Sequence, residues 1–553
     1  MTGVPPGATL LVGLDLGTTG AKVVVVDAGT GATVARSHRD YPSDTGRAGR
    51  HEQDPAHWWT ASAGALREAL SGVDAGSVGA VGLSGHMHAV ALFDAQDRPL
   101  RPALTWADRR AAEQVRALRE HGTLFGELTG NPVVEAFTAP KLAWVAAHEP
   151  DAVRRAVRLV QPKDVLRHHL TGEWGTDPTD AAGTLLYDVR RRRWEPGLWA
   201  LCGADARLAP AVSGSAEIVG TVLAGAAEVT GLRAGTPVVA GAGDVSCAAL
   251  GAGAVTSGRV YVNVGTAAQI VTPLDTPRAG VDRFVFARAG EDGFLGMVSS
   301  YAAGLAIRWS ERNLLPGPGQ PGGSGQPGGS GQPGGSGQPG GSGQPGGSGQ
   351  PGGTGSAGGS GQLGGGIDVP DGTADRLARD SEPGARGLTF LPYLLGASAP
   401  IHDPDVRAAL LGAGPEHGPA DIARATLEGV AYASAAAVEQ LLGGAGAATG
   451  IRVGGGVTRS ALWCEAFAAM FDVPVRRLRQ DASPRGAVAL AGIGAGVWPD
   501  VAAACAVLDD SVPLITVDEH RAGYRQARRR YDAAAAAIAA LSRDQARHDG
   551  ADR

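Results

Sequence analysis

The chain has 553 residues, which at roughly 100–200 residues per domain allows two to four domains rather than one small core. Lys+Arg is 49 and Asp+Glu is 55, and the formal charge of −6 argues against a generally basic nucleic-acid binder. With 43% hydrophobic residues the balance is globular, and four cysteines (Cys202, Cys247, Cys464, Cys505) without C-x-x-C spacing argue against a disulfide scaffold or a zinc finger.

No apolar run approaches the ~18 residues that span a bilayer. The first hydrophobic stretch has no basic residues before it and is interrupted by Asp15, so a secretory signal is not expected and the cytoplasm is. Basic residues are almost all arginine; Lys22, Lys141 and Lys163 are the only lysines. In so Arg-biased a chain a retained lysine hints at a place where a compact ammonium fits and a planar guanidinium does not.

In chain order, LLVGLDLG (10–17) reads as a buried strand ending at glycine, and AKVVVVDA (21–28) as its partner across a tight turn. AVGLSG (80–85) and AVALFDA (89–95) repeat the theme. A helix is expected from Thr138, with a capping Thr and an early Pro, and further helix from about 151 to 170. A second globular stretch starts near 237 with PVVAGAGD. RVYVNVGTAAQIVTP (259–273) reads as strand, Gly-Thr turn, strand. Residues 460–471 and the chain from about 519 read as helices. Between these lies GQPGGS, repeated from 319 to a final GQPGGT ending at Thr354, with Gly/Ser to 366. Such a segment cannot offset its ordering entropy by burial and is expected to be a flexible insertion. The echo of LVGLDLGTTGAKVVVVD in RVYVNVGTAAQIVTP suggests a duplicated α/β unit with a cleft between the copies.

The chemistry-bearing residues cluster at these turns. Asp15-Leu-Gly-Thr-Thr-Gly exposes backbone N–H groups and two hydroxyls (Thr18, Thr19) at one point, and its glycines let backbone approach a ligand. Such a nest binds phosphate oxygens, and Asp15 can hold Mg²⁺ through water, with Lys22 adding charge. Alone, the residues fit a plain hairpin equally well; the second copy at Gly265-Thr266 favours two nests across a cleft, as a triphosphate requires. Gly454, Gly455 and Gly456 follow a strand and would let a flat ring lie on backbone, or simply make a strand–helix turn. Asp244, after a buried strand and glycines, can accept a proton from a substrate hydroxyl, or cap a helix. Gly85-His-Met-His88 could bind sugar hydroxyls; His-x-His without a third ligand is weak for metal.

Taken together, GLDLGTTGAKVVVVD, HEQDPAHWW, GLSGHMHAVALFDAQDRPLRPALTWADRR, FTAPKLAWVAAHEPD, QPKDVLRHHLTGEW, DPTDAAGTLLYDV, PVVAGAGD, VNVGTA, LTFLPYLLG and VGGGVTRSALW resemble, in this order, the FGGY carbohydrate kinases, and within them the xylulokinase group. The resemblance implies an α/β protein of two actin-like (ribonuclease H-like) domains of the hexokinase–actin ATPase superfamily, with an interdomain cleft. The N-terminal domain would be 1–245 and the C-terminal domain 246–553, interrupted by the insertion at 316–366. It implies ATP and Mg²⁺, with Asp15 at the metal–phosphate end and Thr18, Thr19 and Lys22 near the γ-phosphate. Gly265 and Thr266 would form the second phosphate loop, and Gly454, Gly455 and Gly456 the adenosine motif. Met87, His88 and Asp108 would contact the sugar, and Asp244 would be the catalytic base.

Departures from the family pattern concentrate on the sugar side: His86 for Gln, Ala89 for Gly, Ala107 for Asn and Val245 for Asn. Ala397-Ser398-Ala399-Pro400 replaces Glu-Arg-Thr-Pro, and Gly456-Val-Thr-Arg459 is one residue longer than usual. Loss of hydrogen-bonding partners changes sugar specificity steeply. The expected reaction is ATP-dependent phosphorylation of a pentulose, D-xylulose to its 5-phosphate. The alternatives are a kinase for another sugar or polyol (ribulose, a pentitol, gluconate) and a catalytically weak sugar-binding homologue. The expected partners are the sugar and ATP, without nucleic acid or membrane; a homodimer is admitted.

Overall fold

The structure is a computed structural model that describes residues 9–277, 283–300, 302–316, 372–397, 399, 401–443 and 447–551, with side chains to 543. The repeat insertion expected at 316–366 lies outside the described residues from 317 onward, as do Ser398 and Pro400.

The first lobe is built on strands β1 (Leu10–Leu16), β2 (Gly20–Asp27) and β3 (Thr33–Asp40), helix α1 (Pro55–Leu70) and strand β4 (Val78–Gly85). A small pair follows, β5 (Ala91–Phe93) and β6 (Arg158–Val160), with α2 (Thr138–His148) between them in sequence. Next come α3 (Pro162–Thr171), α4 (Pro178–Ala182), β7 (Ile218–Thr221), β8 (Pro237–Val239) and α5 (Asp244–Gly251). The main sheet runs β7-β8-β4-β1-β2-β3; β1 is antiparallel to β2 and parallel to β4. β1 is buried on both faces. Val12, Leu14 and Leu16 pack toward Trp58 and Leu66 of α1, while Leu11 joins a cluster on the other side of the sheet.

The second lobe shares part of this order. It contains β9 (Arg259–Val264), β10 (Ala268–Leu274), β11 (Phe284–Ala287), β12 (Phe294–Ser300), α6 (Gly304–Asn313), α7 (Pro419–Leu442), β13 (Gly450–Gly454), β14 (Val475–Arg477) and α8 (Ala482–Gly494). Its sheet begins β11-β12-β10-β9-β13-β14. Again the first strand is antiparallel to the second and parallel to a later one, β9 with β10 and with β13. The chain therefore holds two copies of one strand–turn–strand start, each with a Gly-Thr turn between its first two strands.

The lobes are joined by backbone-to-backbone contact. α8, from the second half of the chain, lies on the sheet of the first. A Cβ on Gly13 would fall 2.1 Å from the Pro484 carbonyl oxygen, and one on Gly82 1.9 Å from that of Ala487. No side chain fits at those strand positions, so the helix axis can come this close. α5 crosses α8 equally closely, since a Cβ on Gly486 would fall 1.9 Å from the Cys247 carbonyl oxygen.

Two local expectations differ from the structure. The stretch 151–170 is not one helix: it is helix Pro150–Arg155, strand β6 and helix α3. Pro162 at the first position of α3 restricts Gln161 to extended backbone, which lets Arg158–Val160 pair with Ala91–Phe93. Thr138 does not cap α2. Phe137 is the cap residue and makes no side-chain bond, while the Thr138 hydroxyl donates to the Ala89 carbonyl at 3.2 Å.

Candidate functional site

The first turn, Gly17 to Gly20, is closed by the Gly17 N–H on the Gly20 carbonyl at 3.0 Å. Three side chains from elsewhere hold it. The Tyr41 hydroxyl donates to the Gly17 carbonyl, Gln53 Nε2 to the Thr18 carbonyl at 2.7 Å, and Trp106 Nε1 to Thr18 Oγ1 at 2.9 Å. With its oxygen accepting the indole, the Thr18 hydroxyl keeps its own proton to donate. Gly17, Thr18 and Thr19 are half-buried at the lip.

Asp15 sits one turn-length back, buried, with Oδ1 accepting the Ser84 hydroxyl at 2.7 Å. Burial raises its carboxyl above the usual range, against Lys22 and Ser84. Lys22 lies opposite Asp15 in the β1–β2 register, but its ammonium is taken by Asp481 at 2.6 Å, at the start of α8. Burial pulls Lys22 down; Asp481 and Asp15 more than offset this and keep it charged. Lys22 therefore ties the first turn to the second lobe.

Asp244 opens α5, where its Oδ1 accepts the Val245 N–H at 2.8 Å, and Ser483 donates to its carbonyl at 3.1 Å. Its carboxyl is pushed up to about 7, by burial first and by Asp15 second. Such a value suits a group that must take a proton near neutral pH. Val245, where relatives of the expected family carry Asn, is buried in an apolar cluster with Met87 of the first lobe and Tyr261, Phe286 and Met297 of the second.

Met87 and His88 leave the end of β4 beside Asp244. Gly243 and Gly183 make room for them: a Cβ on Gly243 would fall 2.6 Å from Met87 Sδ, and one on Gly183 3.0 Å from His88 Nδ1. His88 has φ +69, a conformation rare outside glycine, and contacts Phe137 and the second lobe's Phe286. Burial holds its imidazole neutral, down at about 3. Its Nδ1 lies 2.6 Å from the Gly183 carbonyl, so that nitrogen carries the proton and Nε2 is left as an acceptor.

Asp108 is fully buried and already engaged. It accepts the His51 N–H at 2.9 Å and Arg110 Nη2 at 2.7 Å. Its carboxylate thus shapes the loop carrying Trp106 rather than standing free. Lys141 is buried too, and its ammonium caps the carbonyls of Glu135, Ala136 and Phe137 at the start of α2.

At the second turn the Gly265 N–H bonds the Ala267 carbonyl at 2.9 Å. Gly304 donates to the Gly265 carbonyl and Leu305 to that of Thr266, at 3.0 and 3.1 Å, so the turn is stitched to the first residues of α6. From the same helix Arg308 Nη2 reaches Thr266 Oγ1 at 3.3 Å. Gly454 pairs with Asn263 beside the turn, and Gly455 has φ +87 with its α-carbon facing the Val264 carbonyl, where a Cβ would fall at 2.4 Å. Gly456 begins the following 3₁₀ turn, Gly456–Arg459.

The structure therefore gathers Asp15, Met87, His88 and Asp244 at the end of the first sheet. It gathers Gly265, Thr266, Gly454, Gly455 and Gly456 at the end of the second. Sequence reading missed Arg308, Asp481, Gln53 and Tyr41, which are distant in sequence from the turns they serve. Trp106 stood next to the Ala107 departure but carried no signal of its target.

Two parts of the chain match the FGGY family of carbohydrate kinases: residues 10–251 its N-terminal domain and 358–495 its C-terminal domain. The xylulose kinase of Escherichia coli (strain K12) is 30% identical over 463 residues, 83% of this chain and 84% of that one. That of Bacillus subtilis (strain 168) is 29% identical over 506 residues, 90% of each. The crystal structure of a xyloylose kinase from Brucella ovis superposes with a TM-score of 0.79 at 28% identity, covering 96% of this chain and 100% of that one. The chain belongs to the FGGY family of carbohydrate kinases. It is an ATP-dependent sugar kinase with the two-lobed fold of that family. Among the described residues no helix is long and apolar enough to cross a membrane.

Proposed function

We propose that the sugar is a pentulose, D-xylulose, phosphorylated at its 5-hydroxyl, and that Asp244 is the base. The observation that carries the assignment of the base is the place of Asp244, where Gly243 pairs with Gly85 at the end of the first sheet and Met87 packs against Gly243; burial and Asp15 push its carboxyl up to about 7, in keeping with that role. The xylulose kinases that align over most of the chain support the choice of sugar.

In this reading the sugar lies against Met87 and His88, whose Nε2 accepts a hydroxyl proton. Asp244 takes the proton of the attacking hydroxyl as its oxygen bonds the γ-phosphorus and the bond to ADP breaks. Thr18 and Thr266 donate to the terminal phosphate oxygens from opposite sides, and Gly454 to Gly456 offer backbone to the adenosine. Thr19 completes the first turn. Arg308, rather than Lys22, brings cationic charge to the phosphates, because Asp481 already holds Lys22. Closure of the lobes would exclude water and restrict ATP hydrolysis.

Asp15 fits a divalent cation held through water. It is buried, its Oδ1 accepts the Ser84 hydroxyl, and Asp244 adds like charge nearby. Among the described residues no group of three or more His, Cys, Asp or Glu could hold a metal alone. This suits an ion, taken to be Mg²⁺, that draws its other ligands from phosphate and water. When bound, such an ion neutralises phosphate charge.

The test is ATP-dependent turnover, read by coupled ADP release, across D-xylulose, D-ribulose, pentitols and gluconate. The highest kcat/KM is expected for D-xylulose; a pentitol or gluconate ahead of it would reject the pentulose assignment. Sugar and nucleotide binding with no turnover of any of them would mean a binding homologue.

A further inference from the structure

Behind the sugar-side residues lie four charged side chains with no solvent exposure, Lys163, Asp164, Asp177 and Asp180. The Lys163 ammonium is 2.7 Å from Asp164, 3.1 Å from Asp177 and 3.1 Å from Asp180. One cation against three buried carboxylates is an expensive way to fill a core, since well-packed apolar residues commonly match a buried ion cluster in stability. Burial and the neighbouring Asp164 and Asp177 push the Asp180 carboxyl well up against the pull of Lys163, which favours a proton there. Among the described residues its hydrogen bonds and ion pairs run to neither turn.

Its outward bonds show what it holds. Thr179 donates its hydroxyl to Asp177 at 3.1 Å, and the same oxygen accepts the Gly243 N–H at 2.7 Å. Gly243 is the residue before Asp244. On the other side Asp164 accepts the Gln161 N–H at 2.9 Å. The Gln161 amide grips Ala89 by both backbone groups, accepting its N–H at 2.9 Å and donating to its carbonyl at 3.1 Å. Ala89 is the residue after His88. Gly183, which fixes the His88 tautomer, directly follows α4, the helix that carries Thr179 and Asp180. One buried ion cluster is thus bonded to the peptide next to each of the two groups that flank the reacting hydroxyl.

We propose that the Lys163 cluster is a positioning device that sets Asp244 and His88 relative to each other, with Thr179 and Gln161 as its two arms. The claim rests on Asp244 being the base. A misplacement of about 1 Å can cost about a hundredfold in rate, so the Thr179 arm, next to the base, should be felt in kcat, and the Gln161 arm, next to His88, in the sugar KM.

The experiment compares Thr179→Val, Thr179→Ser and Asp244→Asn with the unaltered enzyme on ATP and D-xylulose, kcat and KM separately. For Thr179→Val, kcat is expected to fall about 30-fold with the ATP KM unchanged, and Thr179→Ser to recover most of the loss. Should Thr179→Val not fold, Gln161→Met tests the other arm: the D-xylulose KM rises about tenfold and the ATP KM stays. Full kcat in a folded Thr179→Val, or an unmoved sugar KM in Gln161→Met, with Asp244→Asn inactive, would overturn the positioning role alone. Asp244→Asn with full kcat would remove the base assignment, and this inference with it.

Discussion

The two Gly-Thr turns occupy the same place in two copies of one sheet, yet their threonine hydroxyls meet different donors. Thr18 receives the neutral indole of Trp106 at 2.9 Å, and Thr266 the cationic guanidinium of Arg308 at 3.3 Å. The strand position before the turn differs in the same sense: Asp15 in the first copy, Asn263 in the second. The cation nearest the first turn, Lys22, is spent on Asp481. The two copies thus put the acids on one side and an arginine on the other. This division suits phosphoryl transfer, where a base and metal must sit opposite the groups that hold a polyanion.

The largest effect should come from the acidic side. Asp244→Asn is expected to lower kcat by about 10³, within the range for loss of a general base, while ATP binding by isothermal titration stays intact. The second largest belongs to the cationic side. A charged hydrogen bond contributes about 1.5–3 kcal/mol, so Arg308→Ala should raise the ATP KM roughly 10- to 100-fold and leave the sugar KM alone. Lys22→Met is the control on the other copy. If it raises the ATP KM more than Arg308→Ala does, the phosphate-holding charge lies on the first turn and not the second.

Much of this was legible in the sequence because it is local. The β1–turn–β2 and β9–turn–β10 units announce themselves as apolar runs broken by Gly and Thr, and Asp244 stands at a strand end within three residues of two glycines. What could not be read is what closes across distance. Asp481 lies 459 residues from Lys22 and Gln53 35 from Thr18, and no periodicity connects such pairs. Pro162 was visible, but its consequence, a strand between two short helices, depends on Ala91–Phe93 being free to pair. Val245 looked like a lost polar group; in the fold it is a buried contact of both lobes.

Asp244 also gives the two sides different pH behaviour. A base must be ionised, so kcat should fall as pH drops through about 7, while the ATP KM, governed by an arginine, should not follow. The stability effect has the opposite sense. The folded state keeps a proton on Asp244 that the unfolded chain has released, so folding loses stability as pH rises from the ordinary carboxylate range through about 7. Asp244→Asn removes that loss. Its Tm, measured by calorimetry, should exceed that of the unaltered protein at pH 8 by more than at pH 5; an equal gain at both would mean the carboxyl is not raised.

The smallest effect isolates the first turn. Trp106→Phe keeps the ring and deletes the donor to Thr18, a neutral hydrogen bond contributing about 1 kcal/mol, so kcat/KM for ATP should fall about fivefold. The Thr18 hydroxyl would lose the partner that fixes its rotor, while Gln53 and Tyr41 still hold the backbone of the turn. A loss as large as that of Arg308→Ala would mean the indole does more than orient a hydroxyl and that the two turns carry equal shares of the phosphate. No loss at all would place the phosphate on the second turn alone and make the first a scaffold for Asp15.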